Sequence, residues 1–274
     1  MRSMSLMLEK PLAFILRDII EDTSYKMSFV MQFVNMFIST SMFYFFSRLL
    51  GDAGTAYLGP YGGNYFSFVL IGIAFSSYLS VSMKSLANTI REGQMMGTLE
   101  ALLVTQTGIP TIVISSSLYS FIWATFKVIV YLLLGALVFG VDLGNVNIIG
   151  AGIMLLLTII SFGSLGIFSA SFVMVLKRGD PVNWIFSSVS GLLGGLYYPI
   201  TVLPEWLQTI SYLLPVTYAL EGMRMAVLKG HTLSELMPNI LALTIFSIIM
   251  LPMSILVFRY AVRKAKKDGT LTQY

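Results

Sequence analysis

Several apolar runs of twenty or more residues, joined by short polar or glycine-rich segments, limit what this chain can become more than any other feature. Coiled into a helix, a run of that length crosses a hydrocarbon core of roughly 30 Å. Hydrophobic residues make up 56% of the chain and charged residues only 11%, far from the balance of a soluble domain. The chain is therefore read as an all-α polytopic membrane protein, with residues 1–274 forming one transmembrane domain. Its net charge of +4 carries topology in such a chain and does not signal nucleic acid. With no cysteine, disulfides and thiolate chemistry are excluded, and the compartment stays open.

Ahead of the first run, Glu9, Lys10, Arg17, Asp18, Glu21 and Asp22 break up any signal-peptide core. Leu12, Ile15, Leu16, Ile19 and Ile20 recur at helical spacing, with Lys10, Arg17 and Glu21 on another face. That pattern predicts an amphipathic interface helix within residues 1–26; a short soluble helix is the alternative. Spans are expected over residues 27–47, 65–87, 111–139 and 148–176, and a last one over 237–260. The first ends in Phe43, Tyr44, Phe45 and Phe46, an interfacial aromatic belt. Glycines and Pro60 make residues 48–64 a turn-rich connector. The fourth span is long enough to tilt or project into water, and it ends at the polar turn Lys177-Arg178-Gly179-Asp180-Pro181.

Between the second and third spans lies a charged, glycine-punctuated stretch containing Arg91, Glu92, Gly97, Thr98, Glu100 and Leu103. It suits a short helix over residues 91–104 with an entry turn. Thr98 is the candidate cap, although the acid of a full capping box is missing three residues on. Met95, Met96, Leu99, Leu102 and Leu103 give the helix one apolar stripe. Such an element at a membrane surface suits docking to a partner.

Beyond residue 181 the pattern changes. Residues 183–200 are apolar but interrupted by Gly191, Gly194, Gly195 and Pro199; they are taken as a fifth span. Two shorter segments, residues 205–214 and 216–228, are bounded by Pro204, Pro215 and Gly230. Neither is long enough to span, so residues 204–230 suit a helical pair that dips into the membrane and returns. A hairpin lying on the surface is the alternative.

Lysine and arginine orient the chain. With six spans and both termini inside, thirteen of the 17 basic residues fall on the cytoplasmic side, including Lys84, Arg91, Lys177, Arg178 and the Arg263–Lys267 tail. Only Arg48, Arg224 and Lys229 fall outside. This asymmetry predicts cytoplasmic N- and C-termini and a cytoplasmic 91–104 stretch.

A few residues stand out within the apolar regions. Lys127 sits near the middle of the third span, where an ionisable residue is a functional candidate for a substrate path or gate. Asp142 and Glu221 are possible partners for it, and Glu221 and Arg224 are spaced to pair with each other. Tyr197 and Tyr198, at the outer end of the fifth span, suit either an aromatic gate or a belt. Gly191 and Gly195 match a close-approach motif, equally compatible with packing between copies or within one chain. No constellation for an intramembrane enzyme is visible: His231 is the only histidine, and Asp142 and Asp180 fall on opposite sides of the membrane. An ion-gradient-driven carrier, using Lys127, is the rival class.

Glu92, Gly97-Thr98-Leu99-Glu100 and Leu102-Leu103 resemble the Glu-x-x-x-Gly-Thr-Leu-Glu-x-Leu-Leu signature of type-2 ABC exporter permeases. Residues 191–198, with Pro204, Pro215, Tyr218 and Arg224, are similar to that family's C-terminal signature. Just after the first signature Gln106 departs from the family pattern, since many members carry proline nearby, which here is Pro110. The resemblance implies that residues 91–104 are a coupling helix and that residues 204–230 are re-entrant extracellular helices. It also implies two copies of the permease around a route and a separate ATPase subunit on the cytoplasmic face, in a plasma or inner membrane. The chain has no Gly-x-x-x-x-Gly-Lys-Ser/Thr loop, so it is not expected to be an enzyme or to hold a cofactor. ATP and Mg belong on the partner. Leu99, Leu102 and Leu103 would pack into the ATPase while Glu92 and Glu100 meet basic residues; solvation at the surface is the plainer reading of both acids. The start of the chain lacks an Arg/Tyr-rich approach and a Leu-Gly-x-x-Trp opening. That favours a drug-like, lipid-like or other amphiphilic substrate over a lipid-linked polysaccharide or teichoic-acid type, with membrane lipids as further partners.

Overall fold

The computed structural model describes residues 26–51, 57–95, 109–176 and 179–268, with Ile20 and Ser24. The expected interface helix lies almost wholly outside the described residues. Eight α-helices are present among those described: α1 Lys26–Leu50, α2 Tyr65–Met95, α3 Ile109–Leu137, α4 Ile148–Leu176, α5 Pro181–Leu193, α6 Glu205–Ser211, α7 Pro215–Leu228 and α8 Leu233–Lys267. No strand occurs among them. Five helices, α1, α2, α3, α4 and α8, are long and apolar enough to cross a membrane.

Helix α2 runs through the middle of the bundle. Phe68, Val69, Leu70, Ile71, Ala74, Phe75 and Tyr78 are all buried along it, so it reads as hydrophobic on every side, the pattern of an enclosed helix. Helices α3 and α4 pack along α2, and α8 packs along α4. Between α4 and α8 the contact is built on small polar residues. The Ser161 and Ser247 hydroxyls lie 2.8 Å apart, and Ser161 also donates to the Leu243 carbonyl at 3.3 Å. Small side chains allow such close approach where lipid removes the hydrophobic drive for association. Helix α1 is peripheral. Val30, Val34, Phe37, Ile38, Phe45 and Leu49 along it are exposed, as suits a helix facing lipid. A second buried cluster, including Ile90, Val173, Met174 and Phe258, ties α2, α4 and α8 together near the Arg91 end of α2.

Helix starts follow capping chemistry. The Asp180 carboxylate accepts from the Asn183 N–H at 3.0 Å, capping α5, and from the Ser169 hydroxyl at 2.5 Å, which tethers that start to α4. At α8 the Glu235 carboxylate accepts from the Thr232 N–H at 2.7 Å, the returning half of a capping box.

The expected fifth span differs. It is helical only over the 13 residues of α5, about 20 Å of rise, too short to cross a core of roughly 30 Å alone. Gly194 ends the helix, and Gly195 adopts φ +74°, a left-handed conformation that a residue with a side chain rarely takes. The chain therefore turns through Leu196, Tyr197 and Tyr198, at what was expected to be the outer end of the fifth span and where the glycine interruptions fall. The close-approach motif is not used for packing within the chain. Gly195 lies in the turn, and a side chain at Gly191 would meet only open space within the chain.

Helix α7 is no surface hairpin. Pro215 occupies its first turn, where a missing N–H costs nothing. Val216, Ala219, Leu220, Met223, Ala226 and Val227 are buried, against α2, α4 and α8. Its companion α6 stays largely exposed, with Trp206 outward.

Candidate functional site

The periodicity that buries Leu220 also turns Arg224, four residues on, into the bundle. Arg224 is only 3% exposed. Its Nε donates to the Phe68 carbonyl at 3.1 Å and one terminal nitrogen donates to the Leu196 carbonyl at 3.0 Å. The guanidinium carbon stands 3.5 Å from the centre of the Phe68 ring and 6.0 Å from that of Tyr61, a stacked, cation–π seat. One side chain thus joins α2, the turn after α5, and α7.

Gly72 makes this junction possible. A Cβ built there would stand 2.1 Å from the Leu196 oxygen and 3.1 Å from an Arg224 nitrogen. Only a bare helix surface lets the turn come close enough for Arg224 to bind its carbonyl.

Glu221, three residues before Arg224, does not pair with it directly. Both Arg224 hydrogen bonds go to carbonyls, so the expected helical pair is replaced by a three-element tie. Burial holds the Glu221 carboxyl above its ordinary range, and the nearby Arg224 charge opposes that shift. Burial lowers Arg224 while Tyr61 and Glu221 counter it. Burial beside Glu221 pushes the Tyr61 phenol up to about 12, so Tyr61 keeps its proton at neutral pH. Next to the junction a polar cavity of about 320 Å³ is lined by Tyr61, Asn64, Ser67, Asp142, Asn145 and Lys229.

Other predicted site residues are dispersed around this junction. Tyr197 is partly exposed and stacks on Phe43 of α1, with centroids 5.7 Å apart and planes 9° apart. Tyr198 donates to the Leu192 carbonyl, bracing the turn. Tyr218 donates to the Tyr212 carbonyl at 2.8 Å and so fastens α7 to the end of α6; Pro204 and Pro215 open those two helices. Lys127 belongs to a different place, the face between α1 and α3. Its ammonium lies 5.7 Å from the Trp123 ring, and Trp123 donates to Gln32 of α1 at 3.1 Å. Phe29 and Phe126 complete that aromatic wall.

Arg91 and Glu92 are exposed in the last turns of α2, the end of the helix opposite Phe68 and Gly72. Gly97, Thr98, Leu99, Glu100, Leu102 and Leu103 lie outside the described residues. Sequence reasoning named Arg224 but missed Tyr61, Phe68, Gly72 and Leu196. A glycine in an apolar run is common, and a carbonyl acceptor leaves no mark in the sequence.

A model of the ABC-2 type transporter family matches residues 16–228, which takes in α1 through α7. Comparison with curated proteins returns no match.

Proposed function

The chain belongs to the ABC-2 type transporter family as a membrane-spanning permease rather than an ATPase, and from that premise we propose that it is the permease of an exporter. In this reading it moves an amphiphilic, lipid-like or drug-like substrate outward, as a homodimer in the plasma or inner membrane, with both termini cytoplasmic. A separate ATPase subunit binds at Arg91, Glu92 and the residues that follow, through Gly97, Thr98, Leu99, Glu100, Leu102 and Leu103.

The observation that carries the reading is the continuity of α2. Its 31 residues make a rod of about 46 Å. It begins at the Arg224 junction and ends at Arg91 and Glu92. A push at the Glu92 end would be delivered as rigid-body movement to the α7 junction and the Tyr197–Tyr198 turn. Tyr197, stacked between α1 and the turn, is then a gate residue.

Purification in mild detergent of the chain expressed with its neighbouring genes tests this. A stoichiometric ATPase subunit with vanadate-sensitive turnover is the expected result. A chain that isolates alone and transports on an ion gradient would replace the reading with a gradient-driven carrier.

A further inference from the structure

Helix α8 keeps two distinct faces along its length. Leu236, Leu243, Ser247, Ser254, Phe258 and Val262 follow one line and are buried. The opposite line runs through Ile245, Ile249, Leu256 and Tyr260, which are 57–66% exposed. Steps of three and four residues hold a helix face in register. Continued by the same steps, that line reaches Arg263 and Lys267, both exposed, with exposed Arg259 and Lys264 on either side. The surface that meets lipid tails thus turns, on one unbroken face, into a row of cations.

Length puts that change at the headgroups. Residues 236–258 carry no charge and rise about 34 Å, which matches a hydrocarbon core of roughly 30 Å crossed with slight tilt. Arg259 and Tyr260 therefore stand where tails give way to headgroups, the depth at which tyrosine settles. Arg263 and Lys267 follow about one and two turns further on. Helical side chains lean toward the N-terminus of their own helix, so both lean back toward the bilayer. No acid lies between Glu235 and Asp268, and Arg259, Arg263, Lys264 and Lys267 make no ion pair among the described residues.

We propose that this row binds anionic phospholipids of the leaflet it borders, their phosphates accepting from the Arg259 and Arg263 guanidiniums and the Lys267 ammonium. A planar guanidinium holds two phosphate oxygens at once, and an ammonium adds a compact charge beside it. A basic segment directly after a span gathers anionic lipid in this way. An acidic protein surface fits less well. The face of α8 opposite the row is the one buried in a cluster with Leu86 and Ile90 of α2, and α2 leads to Glu92 and the proposed ATPase-docking stretch. The row therefore faces lipid, away from that stretch. Its occupancy is independent of whether the protein transports anything.

The test uses the full-length chain in neutral detergent, with dioleoylphosphatidylglycerol or dioleoylphosphatidylcholine added and bound lipid counted by native mass spectrometry. Phosphatidylglycerol is expected to bind at lower concentration than phosphatidylcholine, an advantage that shrinks in about 0.5 M salt. Arg263→Gln and Lys267→Gln should each weaken phosphatidylglycerol binding about fivefold, and the double variant about 25-fold. Phosphatidylcholine binding should not move. Both side chains are exposed, so each variant should fold. Arg48→Gln removes another exposed cation, at the end of α1 beside Tyr44, and should change neither lipid. Equal binding of the two lipids, or an equal loss in Arg48→Gln, would overturn the proposal. So would a double variant that binds phosphatidylglycerol normally; if it also loses a co-purifying protein, the row belongs to an acidic protein surface instead.

Discussion

Arg224 reaches back 156 residues to donate to the carbonyl of Phe68 at 3.1 Å, while the same side chain stacks on the Phe68 ring. One residue of α2 thus meets the arginine with both its backbone and its aromatic face. The second bond, to Leu196, brings in the turn after α5. The cation is held in direct contact by two carbonyls and a ring, while Glu221 acts on it only through its charge.

Arg224→Met should therefore cost about 2–4 kcal/mol, since two charge-assisted bonds vanish and the Leu196 carbonyl loses its donor. Arg224→Lys should restore only part of this, because an ammonium cannot span two carbonyls while lying flat on a ring. Thermal unfolding midpoints in detergent would separate the three proteins. Equal midpoints for all three would remove the junction from the forces that hold α7.

Gly72→Ala should destabilise by about 1–3 kcal/mol, as the added methyl displaces the Leu196 backbone. The control is Gly152→Ala, where a Cβ meets nothing within 4 Å. There the change should be neutral or stabilising by roughly 0.5–1 kcal/mol, because alanine is the better helix former. Matching effects at the two positions would mean that the turn yields without loss.

Reversing the charge of either acid in the proposed docking stretch addresses coupling. Glu92→Lys or Glu100→Lys should leave folding intact yet lower transport per ATP hydrolysed by about tenfold or more, equivalent to some 1.4 kcal/mol of lost interaction. The readouts are ATPase co-purification and the ratio of transport to turnover. Unchanged assembly and unchanged coupling in both variants would sink the docking role proposed for these acids.

Lys127→Met should change transport if the α1–α3 face borders the substrate route. A fully active variant with an unaltered melting midpoint would reduce Lys127 to a charge resting against Trp123.

Much of the architecture was legible from apolar length alone. The bounds expected for the first and fourth spans agree with α1 and α4 to within a few residues, because nothing interrupts those runs. The helical length of the fifth was overestimated because composition does not show how a Gly-Gly pair is used. Gly194 and Gly195 could have sat within a helix; here the first ends α5 and the second supplies a left-handed turn. Within the candidate site, Arg224 was conspicuous as a charge in an apolar segment. Its seat was not, since aromatic rings and main-chain oxygens abound in such a sequence. Likewise Lys127 was visible, but its placement beside Trp123 depends on how α1 docks against α3, a contact that no local periodicity encodes.

The α4–α8 contact has a consequence for how the protein is made. The Ser161 hydroxyl waits for Leu243 and Ser247, which lie 82 and 86 residues further along the chain. At translation rates of about 5–20 residues per second, that is a delay of roughly 4–16 s. Throughout it α4 must hold a polar seam without its eventual cover, shielded by lipid or by whatever insertion machinery still cradles it. Among the described helices, the last to emerge is therefore the one that covers this seam.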